Sequence, residues 1–209
     1  MSARIVAMAN QKGGVGKTTI AGHLGVMAEQ SGDGPVALID TDPQGSLASW
    51  WNERANEVPL FAQVEISNLG EHLRALENGG IKLAIIDTPP SVTDMIQQVL
   101  RSADLVLIPT RPSPHDLRAV GSTVELVESA EKRMVFVING AAPRARIAGE
   151  AAVALSQHGT VAPVTLYQRT DFASSMIDGR TVQEIDSKGR SAEEIGQLWK
   201  YVSTQLRKI

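Results

Sequence analysis

The 209-residue chain contains no cysteine. That excludes a disulfide framework, a Cys-ligated zinc site and a Cys-ligated iron–sulfur cluster, and it fits a reducing compartment such as the cytoplasm. No stretch approaches the ~20 continuous apolar residues of a membrane span. The first ten residues, Met1–Asn10, have neither the basic region nor the apolar run of a signal peptide. Internal repeats, low-complexity tracts and long linkers are absent. A net charge of −3 argues against a strongly basic nucleic-acid binder.

What is present describes an ordinary globular chain, 43% hydrophobic and 21% charged. Its length fits one large domain, expected over residues 1–209. The charge is uneven. Residues 1–140 carry 11 basic against 16 acidic residues, whereas residues 141–209 carry 9 against 7. An anionic partner is therefore sought in the C-terminal third, where a solvated surface is the default for any single residue.

Short apolar runs alternate with helical patterns. The runs are Arg4–Ala9, Val36–Asp40, Leu83–Asp87, Leu105–Pro109, Met134–Asn139 and Val161–Tyr167. Most are apolar on both faces, as buried parallel strands are. In Thr18–Gln30, Ile20, Leu24, Met27 and Ala28 form one helical stripe, and Val92–Arg101 and Ala119–Ala130 read similarly. The alternation predicts an α/β fold: a doubly wound, mostly parallel sheet with helices on both faces. Such sheets bind ligands beyond the C-terminal ends of their strands.

Two sets of residues fall at those ends. The first is Gln11-Lys12-Gly13-Gly14-Val15-Gly16-Lys17-Thr18-Thr19, between the first strand and the first helix. Glycines let the backbone curl so that successive N–H groups face a phosphate chain. The positive end of the helix faces the same anion. Lys17 can reach the outer phosphates, and the Thr18 hydroxyl can ligate Mg2+. One letter departs from the general G-x-x-x-x-G-K-[ST] pattern, because Gln11 holds its first glycine position. Lys12 is an extra cation that would repel Lys17 at a shared site and so needs an anion of its own, such as a nucleotide in a second subunit.

The second set is acidic. Asp40 and Asp42, two residues apart at the end of the second strand, point the same way in extended chain. Asp87 ends the run Leu83–Ile86. Each Asp alone reads as a cap or a turn former. Together, and following a phosphate loop, Asp42 and Asp87 read as groups that support magnesium and its nucleotide.

Lys12–Thr19 resembles the deviant Walker A loop of the ParA/MinD family of P-loop ATPases. Asp40-Thr41-Asp42-Pro43-Gln44-Gly45-Ser46 resembles the second signature of its ParA branch, and Leu83–Pro90 resembles its Walker B segment. Ile108-Pro109-Thr110-Arg111-Pro112-Ser113-Pro114 resembles a further proline-containing block. The likeness spans residues 4 to about 140 and, more loosely, the rest, where it is similar to small ParA proteins of the ParF type.

The resemblance implies ATP and Mg2+ as cofactors and ATP hydrolysis as the activity. Gly13, Gly14, Val15, Gly16, Lys17, Thr18 and Thr19 would bind the nucleotide. Lys17 would be the loop lysine and Lys12 a signature lysine reaching across a sandwich homodimer. Asp42 would orient the attacking water and, with Thr18 and Asp87, serve the metal. Asn139 matches a position that often contacts adenine, although Asn139-Gly140 also makes a good turn. The first strand begins at residue 4, which suggests a form without an extra N-terminal DNA-binding domain. The implied role is partition: an ATP-bound dimer binds DNA nonspecifically, associates with the nucleoid in the cytoplasm, and is stimulated by a ParB-like or cargo-adaptor protein.

Weaker signals carry two rivals. One is a metabolic enzyme such as dethiobiotin synthetase, for which no dedicated substrate pocket is legible. The other is a MinD-like membrane switch. Ile195, Leu198, Trp199, Val202, Leu206 and Ile209 line one stripe of the last segment, but its polar face is not mainly basic, so core packing is expected and no membrane partner. Trp50-Trp51 should place one ring in the core and one half-covered. His23, His72, His115 and His158 lack metal-ligand spacing. Candidate DNA contacts are Arg144, Arg146, Arg169, Lys188, Arg190, Lys200, Arg207 and Lys208.

Overall fold

A computed structural model describes residues 2–90 and 94–209. Seven strands form one sheet: β1 (Arg4–Met8), β2 (Val36–Asp40), β3 (Leu60–Phe61), β4 (Leu83–Asp87), β5 (Leu105–Thr110), β6 (Arg133–Ala141) and β7 (Thr160–Tyr167). Their order is β3-β2-β4-β1-β5-β6-β7, and every pair is parallel. The helices are α1 (Lys17–Gln30), α2 (Ser46–Asn52), α3 (Leu69–Asn78), α4 (Asp94–Ser102), α5 (Pro114–Ser129), α6 (Ile147–Ser156), α7 (Thr170–Ser175), α8 (Val182–Ile185) and α9 (Arg190–Leu206).

The central strands are apolar on both sides because both sides are covered. Val6, Met8, Leu38, Ile85, Leu105, Leu107 and Val137 join the core under α1, α2, α8 and α9. Their neighbours Ala7, Ile39, Ile86, Val106, Ile108 and Phe136 join the opposite core under α3, α4, α5 and α6. The period of two along each strand thus divides one apolar run between two layers. Removing a methylene set such as that of Leu38 or Ile85, both fully buried, would cost about 2–5 kcal/mol.

All six expected strands form; Val36–Asp40 and Leu83–Asp87 keep the expected ends, and the other four differ by one or two residues. The seventh, β3, is only two residues long and sits at the sheet edge, too short for a periodic signal. Asn139-Gly140 does not end its strand. β6 runs on to Ala141 across an irregularity between Asn139 and Ala141, and Gly140 takes φ 67° there, the residue type that a bulge of this kind favours.

Helix α1 differs from a one-stripe helix. Ile20, Leu24 and Ala28 are buried as expected, but so are Ala21, Gly22, His23, Gly25 and Val26. The reason is that α1 packs on β1, β2 and β4 and is flanked on its other sides by α2, α8 and α9. Gly22 admits this crowding, since a Cβ there would meet the Trp50 ring at 3.1 Å. Trp50 is buried and Trp51 half-buried, the division the sequence suggests. In α9, Ile195, Leu198, Trp199, Val202 and Leu206 all enter the core, whereas Ile209 lies beyond the helix and is exposed. The helix expected from Val92 starts at Asp94 among the described residues; Val92 itself lies outside them.

Candidate functional site

The parallel sheet brings the loops that follow its strands to one edge. Next to β1, the segment Asn10–Gly16 leads into α1, and it is fastened from below. Asn10 Nδ2 donates to Pro109 O at 2.8 Å, and Gln11 N donates to Thr123 Oγ1 at 3.1 Å. Gln11 therefore serves the loop through its backbone, where a glycine would do the same. Gly14 and Gly16 have φ of 71° and 96°, and Gly16 is the N-cap of α1. A Cβ on Gly16 would lie 2.2 Å from Asn139 Nδ2, so both conformation and space demand glycine. Space above Gly13 and Gly14 is open, leaving the loop amides free to meet an anion.

Lys17 folds back over this loop. Its Nζ donates to Asn10 O at 3.0 Å and to Lys12 O at 3.4 Å. Burial pulls its ammonium below the usual lysine range, with Asp87 and Asp42 acting in the opposite sense. A buried ammonium at the positive end of a helix has reason to bind an anion. Lys12 stands apart: it is exposed, and its ammonium makes no hydrogen bond or ion pair among the described residues.

The acids separate by task. Asp87 is 1% exposed, and its Oδ2 accepts from Thr18 Oγ1 at 2.5 Å. Its Oδ1 is buried without a partner. Burial is the main cause that pushes its pKa up to about 7, with Thr18 pulling the other way. An orphaned buried carboxylate oxygen beside a threonine hydroxyl suits Mg2+, a hard cation that takes oxygen ligands and keeps part of its water. Asp42, half-buried, lines the cleft, and its Oδ1 accepts from Gln44 N at 2.9 Å. Asp40 does not share the site as the two-residue spacing suggests. Its Oδ2 accepts from Leu47 N at 2.9 Å and Ala48 N at 3.0 Å, and its Oδ1 from Asp42 N at 3.0 Å. It caps α2 and orients the Asp42 turn, a side-chain use that outcompetes exposure to the cleft.

The cleft itself measures about 840 Å³ and reaches from Asp42, Gln44 and Ser46 past the glycine loop to Arg111, Asn139, Gly140 and Tyr167–Arg169. Its volume falls in the range of cofactor sites. The loop residues Gly13, Gly14, Gly16, Lys17, Thr18 and Thr19 line it, while Val15 is fully buried behind the loop. Asn139 lies on the wall, where its Nδ2 donates to Val15 O at 2.6 Å. Sequence reasoning missed Arg111, although the proline block contains it, and it placed Arg169 on a DNA surface. Arg169 instead lines the cleft, stacks over Tyr167 at 5.6 Å and pairs with Glu194 Oε1 at 2.6 Å. The other seven candidate DNA contacts are exposed.

His23, given no role, is fully buried. Its Nδ1 lies 2.7 Å from Thr19 O, so it donates, and Nε2 accepts from Val182 N at 3.3 Å. Burial holds its pKa down at about 4, and the neutral ring clips α1 to the start of α8.

An all-parallel doubly wound sheet, with a glycine–lysine loop leading from its central strand into a helix, defines a P-loop nucleotide-binding protein. The chain belongs to the CobQ/CobB/MinD/ParA nucleotide binding domain family, whose profile matches residues 6–182. It is 33% identical over 208 residues to the maintenance of carboxysome distribution protein A of Halothiobacillus neapolitanus, covering 92% of this chain and 93% of that one. Among solved structures, its fold is similar to the McdA–ATP complex of Cyanothece, with a TM-score of 0.80 and 18% identity over 100% of this chain and 98% of that one. The septum site-determining protein MinD of Pyrococcus horikoshii, solved with Mg-ADP, gives 0.81 and 16% over 97% of each. ATP and Mg2+, the expected cofactors, are consistent with these neighbours. Among the described residues, no helix is long and apolar enough to cross a membrane.

Proposed function

We propose that this chain is a ParA-type positioning ATPase that hydrolyses ATP and moves a cargo by cycling between a DNA-bound homodimer and a released monomer. The observation that carries the reading is the separation of the two lysines. Lys17 is buried and turned into its own loop, while Lys12, five residues earlier, is exposed and unpaired among the described residues.

Residues Gly13–Thr19 hold the phosphate tail through loop amides and Lys17. Thr18 and Asp87 hold Mg2+, which supplies charge neutralisation for the tail. Asp42, on the cleft rim and aimed by Asp40, orients the water for in-line attack. Lys12 reaches the phosphates of the opposing subunit. Catalysis here is positioning plus charge neutralisation. Asn139 stands at the nucleoside end of the cleft and steadies the loop at Val15.

Dimerisation adds two weakly basic faces, so DNA affinity follows nucleotide state without a basic monomer. The exposed Arg144, Arg146, Lys188, Arg190, Lys200, Arg207 and Lys208 are the proposed DNA contacts. A ParB-like or cargo-adaptor protein stimulates hydrolysis, and the dimer then dissociates. The relative named for carboxysome distribution supports a cargo of this kind. The apolar stripe of α9 is spent on the core, which speaks against its use as a membrane anchor.

The deciding experiment is sedimentation of wild type and Lys12→Ala with a non-hydrolysable ATP analogue. A charge-assisted contact contributes about 1.5–3 kcal/mol, and the two-fold axis repeats it. The variant should bind the analogue nearly normally but dimerise at least about a hundredfold more weakly, and lose nucleotide-dependent DNA binding. Equal dimerisation of both proteins would reject the trans role.

A further inference from the structure

The strand order gives the cleft a direction. Asp42 follows β2 and Asp87 ends β4, so the metal and water machinery lies on one flank of the central β1 loop. Asn139 and Gly140 belong to β6, and Tyr167–Arg169 close β7, on the other flank. A nucleotide whose terminal phosphate faces Asp42 and Asp87 must lay its nucleoside toward β6 and β7. Directly between the loop and that nucleoside end is the first residue after β5, Arg111.

Arg111 is exposed and lines the cleft. Its side chain passes over Gly140, where an added Cβ would meet Arg111 Nε at 3.5 Å. Two guanidinium groups line the cleft. Arg169 is neutralised by Glu194, whereas Arg111 has no ion pair or hydrogen-bonding side-chain partner among the described residues. An uncompensated guanidinium at the junction of phosphate loop and nucleoside wall is suited to a phosphate oxygen.

We infer that Arg111 is a nucleotide-binding residue that contacts the inner phosphates, the part shared by ATP and ADP, rather than the terminal phosphate served by Lys17, Thr18 and the acids. The inference rests on the proposed nucleotide site, and it adds a cation that the loop signature does not contain. It also separates the two cleft arginines: Arg169 shapes the end of β7 through Glu194, while Arg111 supplies charge to the ligand.

Calorimetric titration of ATP and ADP into wild type, Arg111→Gln, Arg111→Lys and Lys17→Ala tests it. Because Arg111 is exposed, its variants should keep the wild-type unfolding midpoint without nucleotide. Arg111→Gln should weaken ATP and ADP alike by about tenfold or more, and Arg111→Lys should recover much of that loss by restoring the charge. Lowering the salt concentration should widen the gap between wild type and Arg111→Gln. Affinities within twofold of wild type for Arg111→Gln, while Lys17→Ala fails to bind, would overturn the assignment of Arg111 alone. A loss confined to ATP would also overturn it, as would a lysine variant no better than glutamine. If Lys17→Ala binds both nucleotides like wild type, the site reading itself falls.

Discussion

The Thr18 hydroxyl lies 2.5 Å from Asp87 Oδ2, joining the first turn of α1 to the end of β4 two strand connections away in sequence. The second oxygen of Asp87 has no partner in a buried position. One carboxylate thus has one oxygen engaged by the fold and the other without a protein partner among the described residues.

This arrangement sets a pH dependence for the nucleotide-free protein. Burial raises the folded pKa of Asp87 from 3.8 to about 7. A raised carboxylate pKa means that the folded state holds the proton more tightly, so its stabilisation is complete below about pH 4 and is lost as pH rises to about 7. The Asp87→Asn variant should lack that component. Unfolding midpoints of both proteins between pH 4 and 8, without metal or nucleotide, check it; parallel profiles would show that Asp87 does not titrate in this window.

Asp42→Ala should bind ATP and stall. The carboxylate lines the cleft but accepts only a local amide bond, from Gln44 N. On the proposed function, removing it takes away water positioning and leaves the phosphate contacts in place. Turnover should fall about a hundredfold or more, in line with the loss of a positioned base, while gel filtration with ATP shows a long-lived dimer. Undiminished turnover would mean that another group orients the water.

Arg54 tests the fold beside the site. Its side chain is 2% exposed and makes bonds of 2.9 and 3.1 Å to Glu184, 2.6 Å to Gly179 O and 2.9 Å to Val58 O. It also packs over Trp50, at 4.9 Å. Arg54→Ala removes these bonds and leaves Glu184 to its Thr181 N and Thr181 Oγ1 partners; it should cost about 1.5–3 kcal/mol, read by urea denaturation. Because Arg54 ties the arm carrying Asp42 to the start of α8, a loss under about 1 kcal/mol would show that this tie carries little of the stability.

The phosphate loop was legible because its chemistry is local. Glycines, Lys17 and Thr18 lie within one turn, between a strand and a helix that announce themselves by period. The six longer strands were legible for a related reason: burial on both faces leaves an apolar run that no exposed segment would keep. Edge strand β3, with two residues, leaves no such trace. Asp40 and Asp42 looked alike in the sequence, since alternation places both on one face. The tertiary structure separated them, because the amides of Leu47 and Ala48 close on Asp40 and leave Asp42 at the rim.

Arg169 and Arg111 show the same limit from the other side. Nothing within ten residues of Arg169 contains its partner Glu194, which reaches it only because α9 packs along β7. Arg111 enters the cleft only because β5 lies between β1 and β6. By itself the sequence determined the phosphate loop, the alternation of strands and helices, and which runs are buried, since each depends on neighbours within a turn or a strand. Strand order, the direction of the cleft and the division of labour among its acids and arginines were decided only in three dimensions, where side chains as far apart in sequence as Asp42 and Arg169 line one cleft.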